Sequence, residues 1–321
     1  MSRHCAYCLI EIQGDQIKKC AGCMRRAYCS RECQVTDWTS KGQTHKLWCK
    51  EQICEEDIDW EIRQTPHKGL GVFAKRDLPK HTRIMVDRGY RTIQETPFAF
   101  IDSLVPTNGT LQEKWDTNSF YTPEGGDNLG IRLARVNHEC RNNATNKFVP
   151  DLNTFILIAI RDIKQDEEIN IQYYFYNDFS TSKEIRDARP SIIKPKWEVD
   201  CKPDCICLDQ NIRDRIQKAH ELDASIPSLP LRTEDQIKNA LKQVDTLIEM
   251  SQELSSGIMP LARTYYDGFQ IAITNKKTFP LHKKYIEKYL EACQVVESKH
   301  SLAYREALQY LQTPSSHRNH Y

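Results

Sequence analysis

Between Trp60 and about Asp178, short runs rich in β-branched and aromatic residues alternate with turn signals: GVFAKRDL, TRIMVDRGY, TFILIAIRDI and EEINIQYY. Such runs predict strands, so this part of the chain is expected to be β-rich. One segment departs from that pattern. In NLGIRLARVNH, Leu129, Leu133 and Val136 recur at helical spacing and predict a helix that ends beside Asn137 and His138. Beyond residue 210 the period becomes helical throughout. Ile237, Leu241, Val244 and Ile248 share one face of a helix predicted over 233–255, with Gly257 as its C-cap. Two more helices are predicted over 281–296 and 302–311, and the closing SSHRNHY is expected to fray.

Residues 1–54 show almost no periodic apolar pattern but hold eight of the cysteines, as expected of a small domain held by metal instead of a core. An acidic stretch, Glu55 to Asp59, marks a boundary after them. Residues 179–210 read as irregular and carry three further cysteines.

Composition narrows the function only a little. The 321 residues are 39% hydrophobic and 28% charged, which is ordinary for a globular chain, and the formal net charge of +1 gives no global pull toward nucleic acid or anionic membrane. No apolar run reaches the roughly 18 residues needed to span a bilayer, and MSRHCAYC lacks the apolar core of a secretory signal. The expected location is therefore cytoplasmic or nuclear. In such a reducing compartment thirteen cysteines are not expected to form disulfides, which makes metal ligation the first alternative.

Spacing supports that alternative. Cys5, Cys8, Cys20, Cys23, Cys29, Cys33, His45 and Cys49 form four close pairs, enough for two tetrahedral zinc ions. The order of pairs, with CQVTDW and HKLWC, resembles the MYND zinc finger. That resemblance implies interleaving: Cys5, Cys8, Cys29 and Cys33 on one ion, Cys20, Cys23, His45 and Cys49 on the other. The six residues between Trp38 and His45 exceed the family's usual spacing and suggest a looped-out turn. MYND fingers are protein-interaction modules, often for proline-containing peptides, so a peptide partner is implied; a finger that only folds against its neighbour is the competing reading.

The chemistry-bearing candidates lie in HKGLGVFAKRDLPKHTRI, RVNHECRNN and IRDIKQDEEINIQYY. Taken alone, Gly69 and Gly71 read as an ordinary turn, His138 as a core histidine and Asn137 as a helix cap. A nucleophilic Cys140 would need a base and an orienting group that its neighbours do not supply. A zinc deaminase is excluded, because NHEC and PDCIC do not meet its H-x-E and P-C-x-x-C signatures.

In this order the three segments resemble the SET domain of protein lysine methyltransferases. The resemblance implies binding of S-adenosylmethionine by Gly69, Leu70, Gly71, Asn137, His138 and Tyr173, and puts the catalytic phenol on Tyr173. It implies in-line attack of a neutral lysine amine on the donor methyl, with the aromatic run Tyr174, Phe175 and Tyr176 suited to a lysine channel. Leu70, Glu139, Asn142, Asp166 and Gln172 replace the family's usual Arg, Ser, Pro, Gly and Asp.

KPKWEVDCKPDCIC resembles the post-SET segment and implies a third zinc on Cys140, Cys201, Cys205 and Cys207, although its cysteine spacing differs from the family's and Val199 stands where a phenylalanine is common.

The expected fold class is α+β: a MYND zinc finger over 1–54, a β-rich SET core over 60–178, a zinc-binding post-SET segment over 179–210 and an α-helical extension over 211–321. The function expected from the resemblance is S-adenosylmethionine-dependent methylation of a lysine on a histone or non-histone protein, with three zinc ions. The alternative is a catalytically inactive, zinc-dependent interaction scaffold that uses the finger. No membrane partner is expected, and no specific nucleic acid is readable.

Overall fold

The computed structural model describes residues 2–39, 45–51, 53–65, 68–122, 126–173, 184, 187–188, 191, 197, 201, 205–254 and 258–321. The looped-out turn expected after Trp38, the aromatic run 174–176, Val199 and Gly257 lie outside the described residues. The chain divides into two compact units, Met1–Ile171 and Gln172–Tyr321.

In the first unit, β1 (Ser2–His4) pairs antiparallel with β2 (Glu11–Gln13), and β3 (Lys18–Lys19) with β4 (Ala27–Tyr28). Helices α1 (Arg31–Thr39) and α2 (His45–Trp48) follow. A small core gathers Ile12, Ala27 and Tyr28 with several of the cysteines. Asp37, fully buried, accepts from Tyr28 Oη at 2.7 Å and from Arg26 Nε at 2.8 Å, tying α1 to the second hairpin. This satisfies a carboxylate that would otherwise be costly to bury.

Among the described residues nine strands follow. A four-stranded sheet runs in the order β10 (Asn137–His138), β13 (Glu168–Ile171), β6 (Gly69–Ala74) and β5 (Trp60–Thr65). A five-stranded sheet runs β11 (Ala144–Val149), β12 (Thr154–Ala159), β7 (Arg83–Tyr90), β9 (Gly126–Gly130) and β8 (Phe120–Thr122). All six residues of β12 are buried, which explains its unbroken apolar run. Two short helices, α3 (Phe98–Asp102) and α4 (Leu111–Asn118), lie between β7 and β8.

The helix predicted before Asn137 is not formed. Leu129, Leu133 and Val136 are buried as their spacing suggested, but by β9, a single 3-10 turn at Leu133–Arg135 and the start of β10. Buried Asp87 is the physical reason. Its Oδ2 accepts from the backbone N–H groups of Arg132 at 2.7 Å and Leu133 at 3.1 Å, replacing bonds a helix would have made.

The acidic stretch predicted as a boundary is where the finger packs on the strands. His4 N donates to Asp57 Oδ2 at 2.7 Å, and Arg132 Nε donates to Glu56 Oε2 at 2.6 Å while its Nη2 donates to Ala6 O at 3.3 Å. Leu9 of the finger packs against the cluster of Tyr90, Ile101, Leu104 and Trp115.

The second unit is helical: α5 (Gln210–Ser225), α6 (Glu234–Glu253), α7 (Ile258–Ala272), α8 (His282–Val296) and α9 (Leu302–Gln312). Thr233 caps α6 through a capping box with Gln236, and Ile237, Leu241, Val244 and Ile248 are buried as predicted. The closing segment is docked and does not fray. His317, 5% exposed, donates or accepts at Nε2 with Tyr266 Oη at 3.1 Å, while its Nδ1 accepts from Asn319 N at 3.1 Å. Tyr310 and Phe269 meet the imidazole edge-on. Among the described residues no helix is long and apolar enough to cross a membrane.

Candidate active site and metal centres

Two of the four close pairs of the finger, Cys5 with Cys8 and Cys20 with Cys23, sit on tight knuckles, while Cys33 and His45 are carried by α1 and α2. Leu9 N donates to Cys5 O at 3.0 Å and Met24 N to Cys20 O at 2.8 Å, which turns both thiols of a pair the same way. The turns require left-handed backbone at Leu9 (φ 66°) and Met24 (φ 56°), at a cost of roughly 1–2 kcal/mol each in a side-chain-bearing residue.

The result is two sets of four ligands. Cys5, Cys8, Cys29 and Cys33 form one; Cys20, Cys23, His45 and Cys49 form the other, with the ligand atoms of each set within 4.8 Å of one another. Sulfur separations of 3.5 Å for Cys8 and Cys29, 3.5 Å for Cys29 and Cys33, and 3.6 Å for Cys20 and Cys49 approach the roughly 3.8 Å edge of a tetrahedral zinc thiolate site. They far exceed a disulfide's roughly 2 Å, and none of the thirteen cysteines is joined in a disulfide.

The acid–base character of these groups fits a cation. Burial opposes ionisation of Cys5, but backbone N–H groups of Cys8, Cys29 and Tyr7 outweigh it and bring the thiol down to about 7. Burial and the neighbouring Cys20 push Cys49 up to about 12, a penalty on the second thiolate that a divalent ion would reverse. Burial lowers His45 to about 4, leaving it neutral, the form that ligates metal; its Nε2 lies 3.4 Å from Cys23 Sγ.

The four-stranded sheet brings distant segments together. β10 pairs parallel with β13, Asn137 opposite Asn170 and His138 opposite Ile171, while β13 pairs antiparallel with β6. Asn137 Nδ2 thereby donates to Leu70 O at 3.1 Å and to Glu168 Oε1 at 2.7 Å. Gly69, in left-handed backbone at φ +69°, opens β6. A Cβ on Gly71 would lie 2.7 Å from Glu168 Oε1 and 2.9 Å from Asn137 Nδ2, so only glycine lets these two side chains close over the backbone here. Buried Asn143 clamps the arrangement, donating from Nδ2 to Glu168 O at 2.7 Å and accepting from Asn170 N at 2.8 Å.

His138 is buried, with Nε2 3.4 Å from Cys140 Sγ. Two charged residues at the cradle were not singled out from the sequence. Lys68 donates from Nζ to His138 O at 3.3 Å and lies 3.8 Å from a Glu168 carboxylate oxygen and 3.9 Å from one of Glu139. Lys68 and Glu168 both lie inside the quoted motifs, and for Lys68 the available signal was a charged residue next to Gly69.

Asp166, where a glycine is usual, keeps left-handed backbone at φ 65°, which aspartate tolerates better than most residues, and its Oδ1 accepts from Arg63 Nη2 at 2.8 Å.

In the second unit, Tyr173 is half-buried with its ring 5.0 Å from that of Trp197. Cys207 Sγ lies 3.3 Å from Cys201 Sγ and 3.1 Å from Cys205 Sγ, so these three thiols gather within that unit.

Two family models match the chain: the MYND finger over residues 5–49 and the SET domain over residues 69–174. The chain is an α+β protein that combines a MYND finger, a SET domain and C-terminal helices. It is 45% identical over 236 residues to SET domain-containing protein 14 of Caenorhabditis elegans, a match that covers 65% of this chain and 52% of the relative. The chain thus spans about half the length of that curated relative. A crystal structure of a Plasmodium falciparum protein described as a candidate histone methyltransferase aligns with 20% identity and a TM-score of 0.27, over 36% of this chain and 93% of the other; so low a likeness carries no weight below.

Proposed function

We propose that the chain is an S-adenosylmethionine-dependent protein-lysine N-methyltransferase. The observation that carries the reading is the cradle: three segments far apart in sequence, around Gly71, Asn137 and Glu168, meet in one sheet so closely that only a glycine fits at position 71, within the span of the SET match.

S-adenosylmethionine, when bound, supplies an electrophilic methyl on a sulfonium. Gly69, Leu70 and Gly71 offer it backbone, Asn137 and His138 hold its amino-acid end, and Tyr173 orients the acceptor amine toward the methyl. A dry channel beside a positive donor favours the neutral amine, because desolvation and like charge both disfavour an ammonium. The two finger sets hold a zinc ion each, and Cys140 joins Cys201, Cys205 and Cys207 on a third. The domain limits follow the sequence reading: 1–54, 60–178, 179–210 and 211–321. The acceptor is a lysine of a histone or non-histone protein, and the protein works in the cytoplasm or nucleus.

A second reading, an inactive interaction scaffold, is favoured by the exposure of the apolar side chains Ile10, Met24 and Val35 on the finger, which a proline-containing peptide could cover. Methyl transfer from labelled donor to a panel of protein substrates separates the two. Transfer that Tyr173→Phe lowers by about a hundredfold, with donor affinity kept within about twofold, supports the enzyme; equal loss of both removes Tyr173 from the chemistry, and no transfer to any protein with a competent peptide-binding finger favours the scaffold.

A further inference from the structure

The cradle carries more negative than positive charge. Glu139 and Glu168 bring one negative charge each, 3.9 and 3.8 Å from the Lys68 ammonium, which brings the one positive charge. Glu168 is the best placed: its side chain is 20% exposed against 48% for Glu139, and its Oε1 packs directly over Gly71 and accepts from Asn137.

S-adenosylmethionine carries a sulfonium, an ammonium and a carboxylate, hence one net positive charge. Its product, S-adenosylhomocysteine, has a neutral sulfide in place of the sulfonium and is uncharged overall. The two share every hydrogen-bonding group, so a site that tells them apart before transfer must do so by charge and by the methyl.

We infer that Glu168, supported by Glu139 and opposed by Lys68, is the residue that makes this site prefer the charged donor over the spent product. The inference rests on the methyltransferase reading. Its consequence is release of the product once the sulfonium has lost its methyl, since the attraction that held the donor is gone while the shared hydrogen bonds remain. Asn137 and Gly71 position the carboxylate, and Lys68 limits its strength.

Calorimetric titration of the zinc-loaded full chain with S-adenosylmethionine and with S-adenosylhomocysteine reads this directly. Glu168→Gln keeps the side chain's size and an oxygen for Asn137 while removing the charge. It is expected to weaken donor binding by about tenfold and to leave product binding within about twofold, as loss of one part-screened charge pair would. Glu139→Gln shifts the ratio the same way by less, and Lys68→Met raises the donor preference even where both ligands bind more weakly. Equal weakening of both ligands by Glu168→Gln would make Glu168 a merely structural support, and an unchanged ratio across all three variants would overturn the inference while leaving the donor site standing. A wild-type chain that binds neither ligand would remove the donor site itself.

Discussion

The finger and the C-terminal helices are held together by different physics. The finger buries a handful of side chains, bends Leu9 and Met24 into backbone that costs free energy, and packs thiols whose second ionisation burial opposes. On the proposed reading, an ion that brings the four ligands of each set together supplies the stability so small a core does not. Apart from the thiols of Cys201, Cys205 and Cys207, the described residues of the second unit contribute to no such ligand set; its helices rely on buried apolar faces, such as Phe269 stacked on Tyr310 at 5.8 Å, and on capped helix ends. A region held by metal announces itself by spacing, and a region held by packing by period.

The largest expected effect breaks this comparison if it fails. A strong chelator should unfold the finger, because apparent zinc contributions of about 10–16 kcal/mol are typical of such sites, while the helical circular dichroism of the second unit persists. Loss of all helical signal with the metal would show that both regions depend on it. Next in size, Phe269→Ala, which truncates a fully buried ring, should lower the stability of the helical unit by about 3–5 kcal/mol without changing zinc content.

A smaller effect depends on pH. Burial, reinforced by the charge of Asp223 and opposed by Arg263, raises Asp267 to about 6. The folded state then binds the proton more tightly than the unfolded chain, so stability falls as pH rises from about 4 to about 6 and stays low above that window. Asp267→Asn should therefore stabilise the unit at pH 7.5 by about 1–3 kcal/mol and hardly at all near pH 3.5; denaturant midpoints at the two pH values check this. The smallest effect is Thr233→Ala, which removes the capping box of α6 and should cost about 1 kcal/mol.

The same contrast explains what the sequence disclosed. Both four-ligand sets of the finger were readable because zinc demands close pairs, and α6, α8 and α9 because their apolar faces repeat. The segment before Asn137 was misread, since Leu129, Leu133 and Val136 satisfy a helical spacing while Asp87, 45 residues before Arg132, takes the N–H groups that would have closed it. α5 hid behind a polar composition, with Ile216, Ala219 and Asp223 as its buried positions, and α7 behind Pro260 in its first turn and a run of tyrosines. The docked tail depends on His317 fitting among aromatic rings from α7 and α9, a long-range match that local reading does not reveal. The cradle was half legible: glycines and Asn137 stood in quoted motifs, but Lys68 and Glu168 acquire meaning only when β6, β10 and β13 come side by side.

The central claim is that this meeting of strands builds a site for S-adenosylmethionine, and the direct measurement is calorimetric titration of the zinc-loaded chain with that donor, wild type beside Gly71→Val. The account predicts one-to-one binding with a dissociation constant in about the micromolar range or tighter, abolished when a side chain fills the cradle. Absence of binding by the wild type, or equal binding by the filled cradle, would contradict it.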